Sequence, residues 1–465
     1  MRKSVFHMRI STSLRSCIIG AGPAGFYAAK YLLKALPNIT VDIYEELPVP
    51  FGLVRYGVAP DHPQVKSVEK EFLRIASHER VQYFGNVKVG KDVPAKMLET
   101  AYDAVIYSTG ASSDRNLGLP NEKNLRNIFT SRQFVNWYNG MPNYSKMLET
   151  LKDVNNVVIV GQGNVALDCA RILAKSPNDF VQTDIAEYAL GTLKDSAVKS
   201  ISIVGRRGHV QAAFTTRELR ELVNLQNVGV FMSAEDFEDG RCGASLIELK
   251  GQRSRQRMDK LLKGCTQQST NRDVSDKSIN LRFFLSPLEL IPSEKDSSRI
   301  GSVRFDRACL KGDPGRQHAV LHGDGRREII PCDLLISSLG YESVPIEGVP
   351  FDDENKVIPN NLGRVTEKGI VAPGIYCCGW VKRGPRGIVG SNILDAQETV
   401  SSIVHDVERG FIGSYDRVKG GSSALREMGM LSHSVNWDGF MKIHNYELQT
   451  GTSVYRRYRK KIVSV

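Results

Sequence analysis

The sequence predicts an α/β protein in which one doubly wound domain is inserted into another. Three observations predict it. A strand, a glycine-rich turn and a helix follow one another at 16–34, and the same pattern recurs from residue 157. Two later strands, at 333–340 and 374–379, each run into a glycine, as where a chain re-enters a nucleotide-binding sheet. The fold class is therefore two nested Rossmann-like dinucleotide-binding domains.

The first unit opens with Ser16-Cys17-Ile18-Ile19-Gly20-Ala21-Gly22-Pro23-Ala24-Gly25 and leads into a helical stretch at 26–34. Three glycines at the G-x-G-x-x-G spacing permit a turn without Cβ atoms, a close backbone approach to a pyrophosphate, and tight packing of helix on strand. The helix N-terminus turns free N–H groups and a positive dipole end toward the phosphates. Val41-Asp42-Ile43-Tyr44-Glu45 then reads as a second strand, and Glu45, 25 residues after Gly20, is placed for a ribose 2′-hydroxyl.

The loop at 47–63, LPVPFGLVRYGVAPDHP, holds four prolines and two glycines and is neither helix nor strand. Its apolar and aromatic content fits a wall against a flavin ring or a packed Ω-type loop, and the residues alone leave both open. A helix is expected at 64–77, a strand at 81–89, and a buried parallel strand at 104–110 that ends in Gly110.

The second unit, Val157-Val158-Ile159-Val160-Gly161-Gln162-Gly163-Asn164-Val165-Ala166, repeats strand, G-x-G-x-x-A turn and helix, the last to about Ala174. Its second strand, 200–204, ends in Gly205-Arg206-Arg207-Gly208 and not in an acid. That replacement distinguishes the two ligands. An acid repels a 2′-phosphate, whereas paired guanidinium groups bind it through charge-assisted, often bidentate, hydrogen bonds. The first unit suits FAD and the second NADP(H).

Farther on, KGQRSRQRMDKLLK at 250–263 places Arg253, Arg255 and Arg257 on a helix and its lead-in, a pattern more often a solvated face than a site. Polar excursions at 293–298 and 311–327 read as hairpins or loops. After the late strand through Cys377-Cys378-Gly379, a glycine-rich turn at 381–390 leads into a helix at 394–407. The tail beyond Gly410 has weak periodicity, and its role is not readable.

At 465 residues the chain is too long for one core. No run of about 18 apolar residues predicts a transmembrane helix. Eight cysteines without a C-x-x-C argue against a disulfide framework, a zinc site, a cluster held by this chain or a redox dithiol, so no metal is expected. A net charge of +11 favours an acidic partner, whether nucleic acid, anionic membrane or acidic protein. No nucleic-acid-binding signature occurs, which excludes the first of these as an expectation. Residues 1–15 are basic and hydroxyl-rich and contain no acid, a composition shared by mitochondrial transit peptides and by basic tails.

Taken together, IIGAGPAGFY, PFGLVRYGVAPDHP, VGQGNVALDCARIL, VGRRG, LISSLGYESVPI and YCCGWVKRGPRGI occur in an order that resembles the adrenodoxin reductase family, mitochondrial NADPH:ferredoxin oxidoreductases with a glutathione reductase-like architecture. The resemblance implies an FAD-binding domain at 16–111 and 340–465, an inserted NADP-binding domain at 112–339, and a targeting segment at 1–15. It implies contacts to FAD from Ala24, Glu45, Leu53, Val89, Trp380 and Gly387, Ile388 and Val389, and to NADP from Gln162, Gly163, Asn164, Val165, Arg206, Arg207, Glu218 and Gly387. Trp380 stands where the wider superfamily usually has Asp, as in this subfamily. His62 matches a family histidine near the flavin, with Glu218 as its acidic counterpart; orienting the nicotinamide ranks ahead of moving a proton. Arg253, Arg255 and Arg257 resemble the family's basic face for an acidic [2Fe–2S] ferredoxin. His209, where the family commonly has proline, and Gly390-Ser391-Asn392, in place of a threonine-rich turn, depart from the pattern.

The function that follows is hydride transfer from NADPH to FAD and single-electron transfer to the ferredoxin, which feeds mitochondrial P450s or iron–sulfur assembly. The setting implied is the mitochondrial matrix, with a monomeric protein in peripheral contact with the inner membrane. The rivals are a flavin- and NADPH-dependent monooxygenase and a non-catalytic NADP-binding interaction protein.

Overall fold

Short runs of β-branched and aromatic residues, buried on both faces, build two sheets, one wholly and one mainly parallel, each in its own unit of the chain. The structure is a computed structural model describing residues 14–241, 243–267, 276–412, 420–455 and 458–463. The expected leader at 1–13 lies outside the described residues. Leu14 and Arg15, counted with that leader in the sequence, are part of the fold: Leu14 is buried and Arg15 opens the first strand. One unit comprises 14–58, 62–113 and 341–448; the other comprises 59–61, 114–340 and 449 onward.

The first unit carries a seven-stranded sheet in the order Asn360–Asn361, Arg364–Glu367, Ile370–Cys377, Ala104–Tyr107, Arg15–Ile19, Thr40–Tyr44, Val81–Phe84. The last five are parallel to one another, and the first two close the edge as antiparallel strands. Strand order reverses at Arg15–Ile19, which has Thr40–Tyr44 on one side and Ala104–Tyr107 on the other. The carboxyl end of such a strand opens a crevice for a ligand, and helix Pro23–Ala35 begins there.

Several boundaries differ from those expected. The strand expected at 81–89 stops at Phe84, because Gly85 exchanges two backbone hydrogen bonds with Val435, each 2.8 Å. The helix expected at 64–77 is two, Pro63–Lys66 and Glu69–Ala76. The unreadable tail contains helices Gly421–Glu427 and Trp437–Tyr455. Phe440 of the latter packs edge-on against Phe51, and Glu447 pairs with Arg55 at 2.6 Å, both side chains being almost wholly buried. Cys377 and Cys378 are buried, and burial pushes the Cys377 thiol up to about 12, so packing is their role.

At the edge of this sheet Asp406 accepts hydrogen bonds from Arg364 Nε at 2.8 Å and from the Tyr376 hydroxyl at 2.8 Å. Burial alone would raise its pKa, but the Arg364 and Tyr376 hydrogen bonds outweigh burial and hold it below the usual carboxylate range. A depressed native pKa gives stability that is present above the unfolded value and lost as pH falls through the native one. Asp406→Asn is therefore expected to cost about 1–2 kcal/mol at neutral pH, with the gap from the parent closing below about pH 4. Urea midpoints at neutral and acid pH check both statements.

The second unit carries a six-stranded parallel sheet in the order Ile128–Thr130, Leu334–Ser337, Asn156–Val160, Ser200–Val204, Lys277–Arg282, Val228–Met232. Here the reversal falls at Asn156–Val160, and helix Asn164–Ala174 begins at its end. The polar excursions at 293–298 and 311–327 lie within an antiparallel sheet of Leu285–Pro292, Ile300–Lys311, His318–Leu321 and Arg327–Pro331, the first as the connection between two strands and the second containing His318–Leu321. Whereas the sequence reading assigned the whole tail to the first domain, residues from 449 group with the second unit. Buried Lys461 reaches Asp184 at 2.9 Å and the Asn139 carbonyl at 2.9 Å.

Candidate functional site

In the first unit the turn after Arg15–Ile19 is built for a close approach. Gly20 has φ of +103°, and a Cβ there would lie 2.6 Å from the Ser108 carbonyl oxygen, so only glycine fits. Gly22, in contrast, has nothing within 4 Å of where its Cβ would stand. That is a cradle, open at the helix N-terminus, in which a phosphate could reach the backbone. Ala24, the second residue of that helix, is buried.

Glu45 closes the turn. Its carboxylate accepts from the Ala21 N–H at 2.8 Å and the Leu47 N–H at 3.1 Å. Burial pushes its pKa up to about 7 against those two bonds. A carboxyl poised there can both accept and donate to a hydroxyl.

The proline-rich loop packs over this turn. Phe51 adopts φ of +86°, a strained conformation for a bulky residue, and its N–H donates to the Ala21 carbonyl at 2.8 Å. The ring is fully buried between Phe26, Phe72 and Phe440, which holds the strain in place. Leu53 begins the short helix Leu53–Tyr56, Val89 is buried, and His62, also buried, caps Pro63–Lys66.

The late strand delivers Gly379 and Trp380 to the same unit. Trp380 begins helix Trp380–Arg383, its ring 5.8 Å from that of Tyr341, and the Gly379 N–H donates to Asp395. Gly387, Ile388 and Val389 form the turn before helix Ser391–Glu408. Ser391 Oγ accepts from the Ile388 N–H at 3.1 Å, and Asn392 donates to the Val389 carbonyl at 3.0 Å while accepting from Arg383.

The second unit repeats the geometry. Gly161 has φ of +135°, and a Cβ there would lie 2.1 Å from the Ser338 carbonyl oxygen; Gly163 is open, like Gly22. Ala166 is fully buried at the third position. The Gln162 side chain is tied beneath the turn, donating to the Arg282 carbonyl at 2.9 Å, and Asn164 Oδ1 accepts from the Thr215 N–H at 2.8 Å. Those side chains brace the turn, as do the Ala213 and Phe214 N–H groups, which donate to the Gln162 carbonyl at 2.9 and 3.1 Å. Val165 packs partly against the core. Arg206 and Arg207 are exposed at the end of Ser200–Val204.

Glu218 lies in the first turn of helix Thr216–Val223. Nearly buried Arg171 organises its surroundings: it forks onto Asp61 at 2.8 and 3.0 Å, pairs with Asp168 at 2.7 Å, and stands 3.9 Å from Glu218. Sequence reasoning missed Arg171 and Asp61. An arginine inside the helix repeat was the only available signal. Arg253 and Arg257 are exposed on helix Arg253–Gln267, and Arg255 is half-buried.

Known proteins share this arrangement. The model for pyridine nucleotide-disulphide oxidoreductases matches residues 14–230. The mitochondrial NADPH:adrenodoxin oxidoreductase of Arabidopsis thaliana is 39% identical over 469 residues, covering 99% of this chain and 95% of the relative. The human protein of the same name is 43% identical over 408 residues, covering 86% and 80%. The chain belongs to the NADPH:adrenodoxin oxidoreductase family. A solved structure, Mycobacterium tuberculosis FprA in complex with NADPH, matches with a TM-score of 0.86 at 36% identity, covering 97% of each chain.

Within this oxidoreductase family frame, both departures noted in the sequence have structural work. Ser391 and Asn392 brace the turn that carries Gly387. His209 is fully buried, stacks on Phe237 with ring centres 5.0 Å apart, and meets Asp259 at 3.0 Å. Among the described residues, no helix is long and apolar enough to cross a membrane.

Proposed function

We propose that this chain is an FAD-dependent NADPH:ferredoxin oxidoreductase of the adrenodoxin reductase type, working in the mitochondrion and there in the matrix. The observation that carries the reading is the contrast between its two like-built turns, one followed by Glu45 and the other by Arg206-Arg207. Family membership supports it over a monooxygenase or a non-catalytic protein.

Residues 16–111 and the returning segment from 340 form the FAD domain, and 112–339 the NADP domain. Gly20, Gly22, Ala24 and Gly25 hold the FAD pyrophosphate on the helix N-terminus, with Gly22 as the open cradle. Glu45 binds the ribose hydroxyl. Leu53, Val89, Trp380, Gly387, Ile388 and Val389 enclose the rest of the flavin. Gln162, Gly163, Asn164 and Val165 present backbone to the NADPH pyrophosphate, and Arg206 and Arg207 select its 2′-phosphate.

FAD, when bound, would supply the redox chemistry, namely hydride acceptance from NADPH and one-electron release to a ferredoxin. The chain's own part is orientation and charge. His62 and Glu218 orient the nicotinamide, and Arg171 fixes the Glu218 carboxylate by holding Asp61 and Asp168 around itself. Electrostatic steering brings an acidic [2Fe–2S] ferredoxin to Arg253 and Arg257, and the product electrons serve P450s or iron–sulfur assembly. The protein is read as a monomer in peripheral contact with the inner membrane.

Purified protein should reduce cytochrome c with NADPH only when a mitochondrial-type ferredoxin is added; activity indifferent to ferredoxin defeats the reading. Arg253→Ala with Arg257→Ala is expected to raise the KM for ferredoxin about threefold to tenfold at low salt, with the difference shrinking as salt rises. Steady-state titration with ferredoxin at two ionic strengths checks it.

A further inference from the structure

Arg253, Arg255 and Arg257 read as one basic cluster in the sequence, but a helix does not present them together. At about 100° per residue, Arg253 and Arg257 stand about 40° apart, and Arg255 lies about 160° from each. Arg255 shares its face with Met258, Leu262 and Cys265, all buried, and with Asp259 one turn on. Asp259 in turn meets the buried imidazole of His209, two residues after Arg207. This clasp pins the helix that carries Arg255 to the Gly205–Gly208 turn.

The side chain of Arg255 is held and only partly used. Its Nε donates to Gln252 at 2.8 Å. Its Nη1 is buried and makes no hydrogen bond among the described residues, the Glu248 carboxylate standing 3.6 Å away. Glu248 is itself occupied, accepting from the Gly315 N–H at 2.6 Å and facing Gln211 Nε2 at 3.5 Å. A Cβ on Gly208 would stand 3.1 Å from Gln211 Oε1, so Gln211 links Glu248, and through it Arg255, to the arginine turn. Although Arg207 is exposed as a residue, partial desolvation of its guanidinium lowers its pKa first, then the charges of Arg206 and Arg255, against a smaller opposing pull from Glu248. Three guanidinium groups brought together against one carboxylate leave an excess of positive charge that a dianion would neutralise.

We propose that Arg255 is a third cation of the site formed by Arg206 and Arg207, and a specificity-determining residue for NADPH over NADH, not part of the ferredoxin face. This rests on the reading of Arg206 and Arg207 as the 2′-phosphate site. His209 and Asp259 are positioning residues for it.

The experiment compares holoenzyme variants with NADPH, NADH and 2′,5′-ADP as probes. Arg255→Ala is expected to raise the KM for NADPH and the Kd for 2′,5′-ADP about tenfold, the loss of one charge-assisted bond. The kcat, the KM for NADH and the KM for ferredoxin stay as in the parent, and Arg255→Lys recovers part of the loss. If Arg255→Ala leaves the NADPH-to-NADH preference intact while Arg206→Ala with Arg207→Ala abolishes it, the third cation is refuted and the phosphate site stands. A rise confined to the ferredoxin KM returns Arg255 to the docking face and also refutes the proposal. If the double variant keeps the preference too, the phosphate reading itself falls.

Discussion

Arg206→Ala combined with Arg207→Ala is expected to raise the KM for NADPH about a hundredfold or more, while the KM for NADH stays within about twofold. Each guanidinium contributes charge-assisted hydrogen bonds to a dianion, and such bonds are each worth about 1.5–3 kcal/mol. Both side chains are exposed at the end of their strand, so the fold should not suffer from their removal. NADH lacks the 2′-phosphate and supplies the internal control. Ferricyanide reduction with either nucleotide measures both constants without a ferredoxin. Equal losses with NADPH and NADH would remove the basis for placing the phosphate here.

The second large effect separates two glycines three residues apart. A methyl group at Gly25 would lie 2.2 Å from the Gly20 carbonyl oxygen, whereas at Gly22 it would meet nothing within 4 Å. Gly25→Ala is therefore expected to destabilise the first unit by about 3 kcal/mol or more, since the backbone itself must move. Gly22→Ala should leave the fold intact but fill the cradle, so that the protein purifies with little or no flavin. Thermal melting and the flavin absorbance of purified protein read the two outcomes independently. A yellow, fully loaded Gly22→Ala protein would show that the pyrophosphate does not approach there.

Much of the fold was legible because glycine-rich turns and buried parallel strands leave dense local signals. The two turns, their strands and the return of the chain near Gly340 follow from short-range rules on φ, Cβ clashes and apolar runs. What escaped was set by partners distant in sequence. The helix Trp437–Tyr455 is stabilised by Phe440 against Phe51 and by Glu447 against Arg55, 392 residues away. Its own periodicity carries little of that. Arg171 looked like one more helix residue until Asp61, 110 positions earlier, was found on its guanidinium. The split among Arg253, Arg255 and Arg257 was available from helical geometry, but the His209–Asp259 clasp that gives Arg255 its surroundings was not.

The sequence by itself therefore determined the fold class and the pair of dinucleotide turns, along with the opposed charges of Glu45 and Arg206-Arg207 that tell their ligands apart. These depend on residue type and spacing within about 50 residues. Tertiary structure alone decided that Glu45 also locks the glycine turn through the Ala21 N–H, that Arg171 forks onto Asp61, and that Arg255 lies on the buried face of a helix tied by Asp259 to His209. Each of these rests on burial and on contacts between segments far apart in the chain, where the energy of a side chain is set by what packs against it and not by its neighbours in sequence.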